Sequence, residues 1–218
     1  MGQYYSDILS AKNLERCYEI ATPRISQYLI AEVKFVVRNL KPFDRVIELG
    51  CGYGRILGEL GSVTQNVVGI DTSLGSLLYG GMMKNAQLAQ MNAQCTAFQD
   101  NSFDVVVCIQ NGISAFKVNP IDLVRESLRI TEDGGKCLFS SYSDKIWEDR
   151  LEWFRLQSEE HLLGEIDWEK TERGIIVCKD GFVSTTFSET DFRKIANKLD
   201  VSCEIVEVDS SSLFGIFS

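Results

Sequence analysis

Short apolar runs alternate with amphipathic stretches through residues 44–142. The runs near 44–50, 66–71, 87–91, 103–110 and 135–142 are brief and apolar, which predicts strands. Helices are predicted between them near 54–62, 73–85 and 120–130, with Gly134-Gly135 ending the last. Such alternation implies a parallel sheet covered on both faces, with a ligand crevice at the carboxyl ends of its strands. Upstream, Ile25, Tyr28, Leu29, Val33, Val36, Val37 and Leu40 recur at helical spacing, with Thr22 as N-cap and Pro23 in the first turn. From Asp144 the pattern changes. A polar and aromatic helix is expected to carry Ile146, Trp147, Leu151 and Phe154 on one side, and a hairpin follows, with strands near 175–178 and 182–185 around Asp180-Gly181. A helix near 189–199 and two antiparallel edge strands near 202–208 and 212–217 complete the chain.

Within this frame one turn stands out. Val46-Ile47-Glu48-Leu49 leads into glycines at 50, 52 and 54, and an amphipathic run follows. Alternate glycines allow positive φ and let a ligand approach the main chain without meeting a Cβ. The spacing is GxGxG with an acid two residues ahead, which differs from the GxGxxG of dinucleotide binders. Asp71 closes the next apolar strand about 20 residues later, where an acid can accept hydrogen bonds from ribose hydroxyls. The reading that this is only structure gives the turn a folding role and makes Asp71 a cap for the helix starting near Ser73.

In these residues, and in Asn101-Ser102-Phe103-Asp104 before a fourth strand, the chain resembles the class I S-adenosylmethionine (SAM) dependent methyltransferases. The resemblance implies an α/β fold with a doubly wound, seven-stranded, mostly parallel Rossmann-like sheet and an antiparallel last strand. It also implies a single domain over 1–218, with N-terminal helices (1–43) over the cofactor cleft and an insertion after the fifth strand (144–187) as a lid. SAM, with S-adenosylhomocysteine as product, is the implied cofactor. Its expected contacts are Glu48, Gly50, Cys51, Gly52 and Gly54 on the methionine end, Asp71 and Thr72 on the ribose, Asn92 and Ala93 on the adenine, and Gln110 after the fourth strand. Asn92 stands where the family commonly has an acid, and its amide oxygen can accept the same bond. Tyr4 and Tyr5 are candidates to touch SAM from the N-terminal helices.

Composition narrows the partners. With 218 residues, 44% of them hydrophobic, the chain supports one sizeable core. A net charge of −9 opposes phosphate-backbone binding, so no nucleic-acid substrate is expected. No apolar run is long enough to span a bilayer, and the Met-Gly start matches a myristoylation pattern too short to weigh. The seven cysteines are spread evenly, without a CxxC, as in a reduced, cytoplasmic compartment, and no metal site is expected. Cys51 is read as a packing residue rather than a nucleophile, and the single histidine, His161, as a solvated one.

The acceptor is expected to be a small molecule. Residues 144–173 hold ten acids against five bases; a cleft so rimmed would concentrate cations, which suggests an amine, although charge runs usually face water. No catalytic residue is assigned. A nicotinamide-dependent dehydrogenase and a non-catalytic binding protein are the alternatives.

Overall fold

The computed structural model describes Tyr4 and residues 8–81 and 86–218. Seven strands form one sheet in the order β3-β2-β1-β4-β5-β9-β8. They are β1 (Arg45–Leu49), β2 (Asn66–Asp71), β3 (Ala86–Gln90), β4 (Phe103–Cys108), β5 (Thr131–Tyr142), β8 (Cys203–Val208) and β9 (Ser212–Phe217). Strands β1 to β5 pair in parallel, and β9 runs antiparallel to both β5 and β8, as expected. The order reverses between β1 and β4, which opens a crevice at their carboxyl ends.

Period-two alternation assigns the two faces of this sheet. Ile47, Leu49, Val106 and Cys108 point to one core, with Leu123 and Phe192. These come from α6 (Pro120–Ile130) and α8 (Glu189–Leu199). Val46, Val105 and Val107 point to the other, against Val33 and Val36 of α2 (Pro23–Arg38) and Leu57 and Leu60 of α3 (Leu57–Gly61). Burying each such side chain contributes about 1.5–3 kcal/mol. Thr22 caps α2 by accepting from the Ile25 N–H, and a capping box of Ser188 and Asp191 starts α8.

A third apolar cluster lies outside the sheet. Leu9, Cys17, Tyr28, Tyr142, Trp147, Trp153, Phe154 and Phe182 join α1 (Lys12–Glu19) and α2 to the insertion. The insertion comprises a 3-10 turn (Asp144–Ile146), α7 (Trp147–Glu159) and the hairpin β6 (Ile175–Val177) and β7 (Val183–Thr185).

Several expectations shift. The helix after the glycine turn begins at Leu57 rather than 54, because residues 52–56 complete the turn. β4 ends at Cys108, and a short α5 (Gly112–Ala115) follows that no periodicity announced. Gly134-Gly135 lies inside β5, where the β4 register slips, and does not end α6. The helix α4 (Leu74–Gly80) starts on its Ser73 cap, and residues 82–85 of the expected 73–85 helix lie outside the described residues. On α7 the buried face is Trp147, Arg150, Trp153, Phe154 and Gln157, and Leu151 is only half-buried.

Candidate active site

The glycine turn leaves β1 with Gly50, Gly52 and Gly54 all at positive φ (72°, 56° and 83°). The Gly50 and Cys51 N–H groups both donate to Ile70 O, at 2.8 and 2.9 Å, stapling the turn to β2. Asp71 sets the far side. Its Oδ2 accepts from the Gly52 N–H at 2.8 Å and its Oδ1 from the Ser73 N–H at 2.7 Å. Asp71 thus pins the glycine turn, while the cap of α4 is Ser73 rather than Asp71, and Asp71 still has lone pairs for a ligand. Burial pushes its pKa upward, opposed by these N–H donors.

Glu48 is 8% exposed, and its Oε2 has no hydrogen-bond partner. Burial pushes its pKa up to about 8, against the pull of the Arg55 guanidinium. Arg55, just past the turn, was not foreseen. Its Cζ lies 4.3 Å from the Tyr18 ring centroid, and its Nη2 is buried without a partner. The Tyr18 hydroxyl donates to Gln110 Oε1 at 3.2 Å, and the buried Gln110 Nε2 is also unpartnered. One orphan acceptor and two orphan donors therefore share one pocket wall. Leaving such groups dry and unpaired costs about 1–3 kcal/mol each, more for the charged ones, so the wall is built for a ligand with the complementary groups. An α-amino acid zwitterion has them: its ammonium suits Glu48, and its carboxylate suits Arg55 and Gln110. This is the methionine end of SAM, and the residues fit it.

Other expected contacts follow the strand ends. The Met91 N–H donates to Asp71 O at 3.0 Å, which sets the turn after β3 beside Asp71. Asn92 is exposed, and its Oδ1 accepts from the Gln94 N–H at 2.9 Å, while Ala93 is buried. Thr72 is exposed, and its carbonyl accepts from Gln90 Nε2. Cys51 is 5% exposed with its thiol pKa pushed upward by burial, as a packing residue should be.

Of the N-terminal candidates, Tyr4 requires correction. Tyr4 turns to the insertion: its hydroxyl donates to Asp180 Oδ2 at 2.7 Å, and its ring meets Phe182. Tyr5 lies outside the described residues. Among the described residues of the N-terminal segment it is Tyr18 of α1 that reaches the wall, through Gln110 and Arg55, and its i, i+4 partner Leu14 is the signal that was available. Leu14 rests against Gly52, and Phe116 against Gly50. His161 is exposed. Leu14 and Phe116 thus lie over the glycine turn, whereas a cleft of about 540 Å³ opens elsewhere, lined by Ile121, Thr185, Phe187 and Ile195. That cleft lacks the orphan groups, so the chemistry is assigned to the glycine turn. Among the described residues no cluster of histidine, cysteine, aspartate and glutamate could hold a metal, and no helix is long and apolar enough to cross a membrane.

Comparison with known proteins agrees with this geometry. Residues 47–139 match the methyltransferase domain family. Over 148 residues the chain is 28% identical to the ubiquinone/menaquinone biosynthesis C-methyltransferase UbiE of Legionella pneumophila, covering 63% of this chain and 58% of that one. Over 106 residues it is 32% identical to the demethylmenaquinone methyltransferase of Corynebacterium kroppenstedtii, covering 49% and 45%. The chain thus spans about half the length of these relatives. In fold it is similar to a Thermotoga maritima SAM-dependent methyltransferase described as a possible histamine N-methyltransferase, with TM-score 0.66, 15% identity and coverage of 100% and 99%. The strand order is that of the class I SAM-dependent methyltransferase fold, and the acid and three glycines after β1 lie within residues 47–139, the part of the chain that matches the methyltransferase domain family.

Proposed function

We propose that the protein transfers the methyl group of SAM to a small-molecule acceptor. The observation that carries this reading is the wall of Glu48, Arg55 and Gln110, whose unpaired buried atoms complement a zwitterion beside a glycine turn. SAM supplies an electrophilic methyl on a sulfonium that leaves as a neutral thioether. The protein's part is to hold the methionine end on this wall, orient the methyl towards the acceptor and exclude water, which supplies several kcal/mol without a covalent intermediate. Asp71 serves the ribose with its remaining lone pairs, and Asn92 and Ala93 border the adenine. Tyr18 closes the wall from above.

For the acceptor, an amine is the finer reading, and its basis has narrowed. Glu148, Glu152, Glu159, Glu160 and Glu165 are exposed and each pairs with an arginine or lysine. Trp147 and Trp153 are buried in the cluster between α1 and the insertion, their rings already packed on Arg150, Tyr18 and Phe154 and so not open to a ligand cation, while Trp168 is 58% exposed. Incubation with methyl-labelled SAM and a panel of amines, phenols and carboxylates tests both levels. Label in any small acceptor supports methyl transfer, and turnover of amines that weakens with rising salt supports the finer reading. SAM binding without transfer to any class would make the protein a binder.

A further inference from the structure

We infer that Glu32 is the residue by which this chain distinguishes the cationic cofactor from its neutral product, an inference resting on the SAM reading above. Glu32 lies on the inner face of α2 and is fully buried. Its Oε2 accepts the Gln110 N–H at 2.8 Å, and Ser212 Oγ donates to its Oε1. The same Gln110 N–H is shared with Ser140 Oγ at 2.9 Å. Among the described residues no lysine, arginine or histidine forms an ion pair with Glu32. Neutral donors orient a carboxylate without cancelling its charge, and burying an uncompensated ion costs several kcal/mol.

A latch would not require that charge, because a neutral glutamine could accept the same backbone N–H. The latch itself is needed. Gln110 and Asn111 are consecutive non-glycine residues in the left-handed region, at φ 57° and 62°, a strain of about 1–2 kcal/mol each. Glu32 and Ser140 hold the first, and Thr185 O and Ser141 Oγ hold the second at 2.9 and 2.8 Å. The result aims the Gln110 amide at the pocket wall. Glu48 in that wall and Glu32 behind it both face the buried Cys108 thiol, whose pKa is raised first by burial and further by the fields of Glu48 and Glu32.

Arg55 faces Glu48, so Glu32 is the negative charge left without a counterpart. In a ligand whose carboxylate is held by Gln110 and Arg55, the sulfonium follows along a short side chain, next to the end of β4 and hence to Glu32. The charge of Glu32 is compensated when SAM is present. It is uncompensated again once the sulfonium has become a thioether, which favours exchange of product for fresh cofactor.

Calorimetry at about pH 8 with SAM and with S-adenosylhomocysteine tests this on the wild type and on Glu32→Gln, Glu32→Asp and Ser212→Ala. Glu32→Gln is expected to lower the preference for SAM over product by about tenfold, with product affinity little changed. Glu32→Asp should keep the preference, and Ser212→Ala, which removes a latch bond but no charge, should move both ligands alike. An unchanged ratio in Glu32→Gln, whatever happens to the two affinities together, overturns the inference. Binding of neither ligand to the wild type would overturn the SAM reading itself. Should Glu32→Gln not fold, the wild-type ratio against pH decides. The titratable groups facing Glu32 are Tyr28, Cys108 and Tyr142, all pushed above their ordinary values, and Glu48 sees an ammonium common to both ligands. A ratio that falls below about pH 7, where Glu32 takes up a proton, supports the inference; a flat ratio overturns it.

Discussion

The Leu14 side chain sits where a ligand must approach Gly52: a β-carbon built on that glycine would come within 2.9 Å of Leu14 Cδ2. Leu14 belongs to α1, a helix of eight residues whose N-cap, Ala11, makes no side-chain bond. Helices this short are marginal by themselves, so α1 is held by its contacts, including the Ala11 N–H to Ser76 Oγ at 3.0 Å and Trp153 Nε1 to Cys17 O at 2.8 Å. Cofactor binding must displace Leu14, and the closed population lowers the apparent affinity. Leu14→Ala should therefore bind S-adenosylhomocysteine about threefold to tenfold more tightly. Calorimetry showing equal or weaker binding would mean that Leu14 belongs to the bound state.

Arg55 tests the wall itself. If its guanidinium receives the ligand carboxylate, Arg55→Met should weaken SAM by about 1.5–3 kcal/mol, the worth of a charge-assisted bond. Tyr18→Phe frees the Gln110 amide to rotate and should cost about 1 kcal/mol. Asp71→Ala should lose both affinity and thermal stability, because the Gly52 and Ser73 N–H groups lose their acceptor. Arg55→Met with unchanged affinity would remove the zwitterion assignment.

The glycine turn, the strand ends and the cap at Thr22 were legible because each is written in local chemistry: a positive φ, a strand closing in an acid, a hydroxyl before a helix; the caps at Ser73 and Ser188 emerged only from the structure. What escaped was charge facing inward. Glu32 lies at helical spacing from Tyr28, Leu29 and Val36, and Arg150 from Trp147 and Phe154, so both fall on apolar faces. A period count discards such residues as noise, although a charge on the buried face is the sign that tertiary partners await it. α5 escaped for a different reason. Four residues are too few to carry a period, and although Asn111-Gly112 is a turn dipeptide, nothing in Gln110 announces that it too is left-handed.

The buried carboxylates give stability a pH dependence of defined sign. The Glu48 pKa rises from 4.5 to about 8 on folding, and that of Glu32 from 4.5 to about 7. Within those windows the folded state keeps protons that the unfolded chain has released, so stability falls as pH rises, by up to about 1.4 kcal/mol per pH unit for each fully protonated group. Urea midpoints measured from about pH 5 to about pH 8 should decline for the ligand-free protein, and Glu48→Gln should flatten the slope. A wild-type midpoint that rises across this range would contradict the burial of these groups.

Arg150 ties the insertion to itself, and its replacement asks whether that segment is a rigid wall or a separable cover. The side chain is fully buried; Nη2 donates to Ser184 O at 3.0 Å and to Ser184 Oγ at 2.9 Å, and Cζ lies 4.6 Å from the Tyr142 ring centroid. It joins α7 to β7 and both to the end of β5. Arg150→Met keeps much of the volume but loses the donors, stranding Ser184 O and the cation–π contact, at a cost of about 2–4 kcal/mol. A shape-preserving neutral replacement can recover part of that loss, so Arg150→Ala should be worse than Arg150→Met. If the insertion packs as one unit with the sheet, hydrogen exchange in Arg150→Met should quicken together across residues 147–159, 175–185 and the end of β5, and global stability should fall. Faster exchange confined to 175–185, with the unfolding midpoint unchanged, would show that the hairpin opens without the domain and that the substrate side has its own hinge.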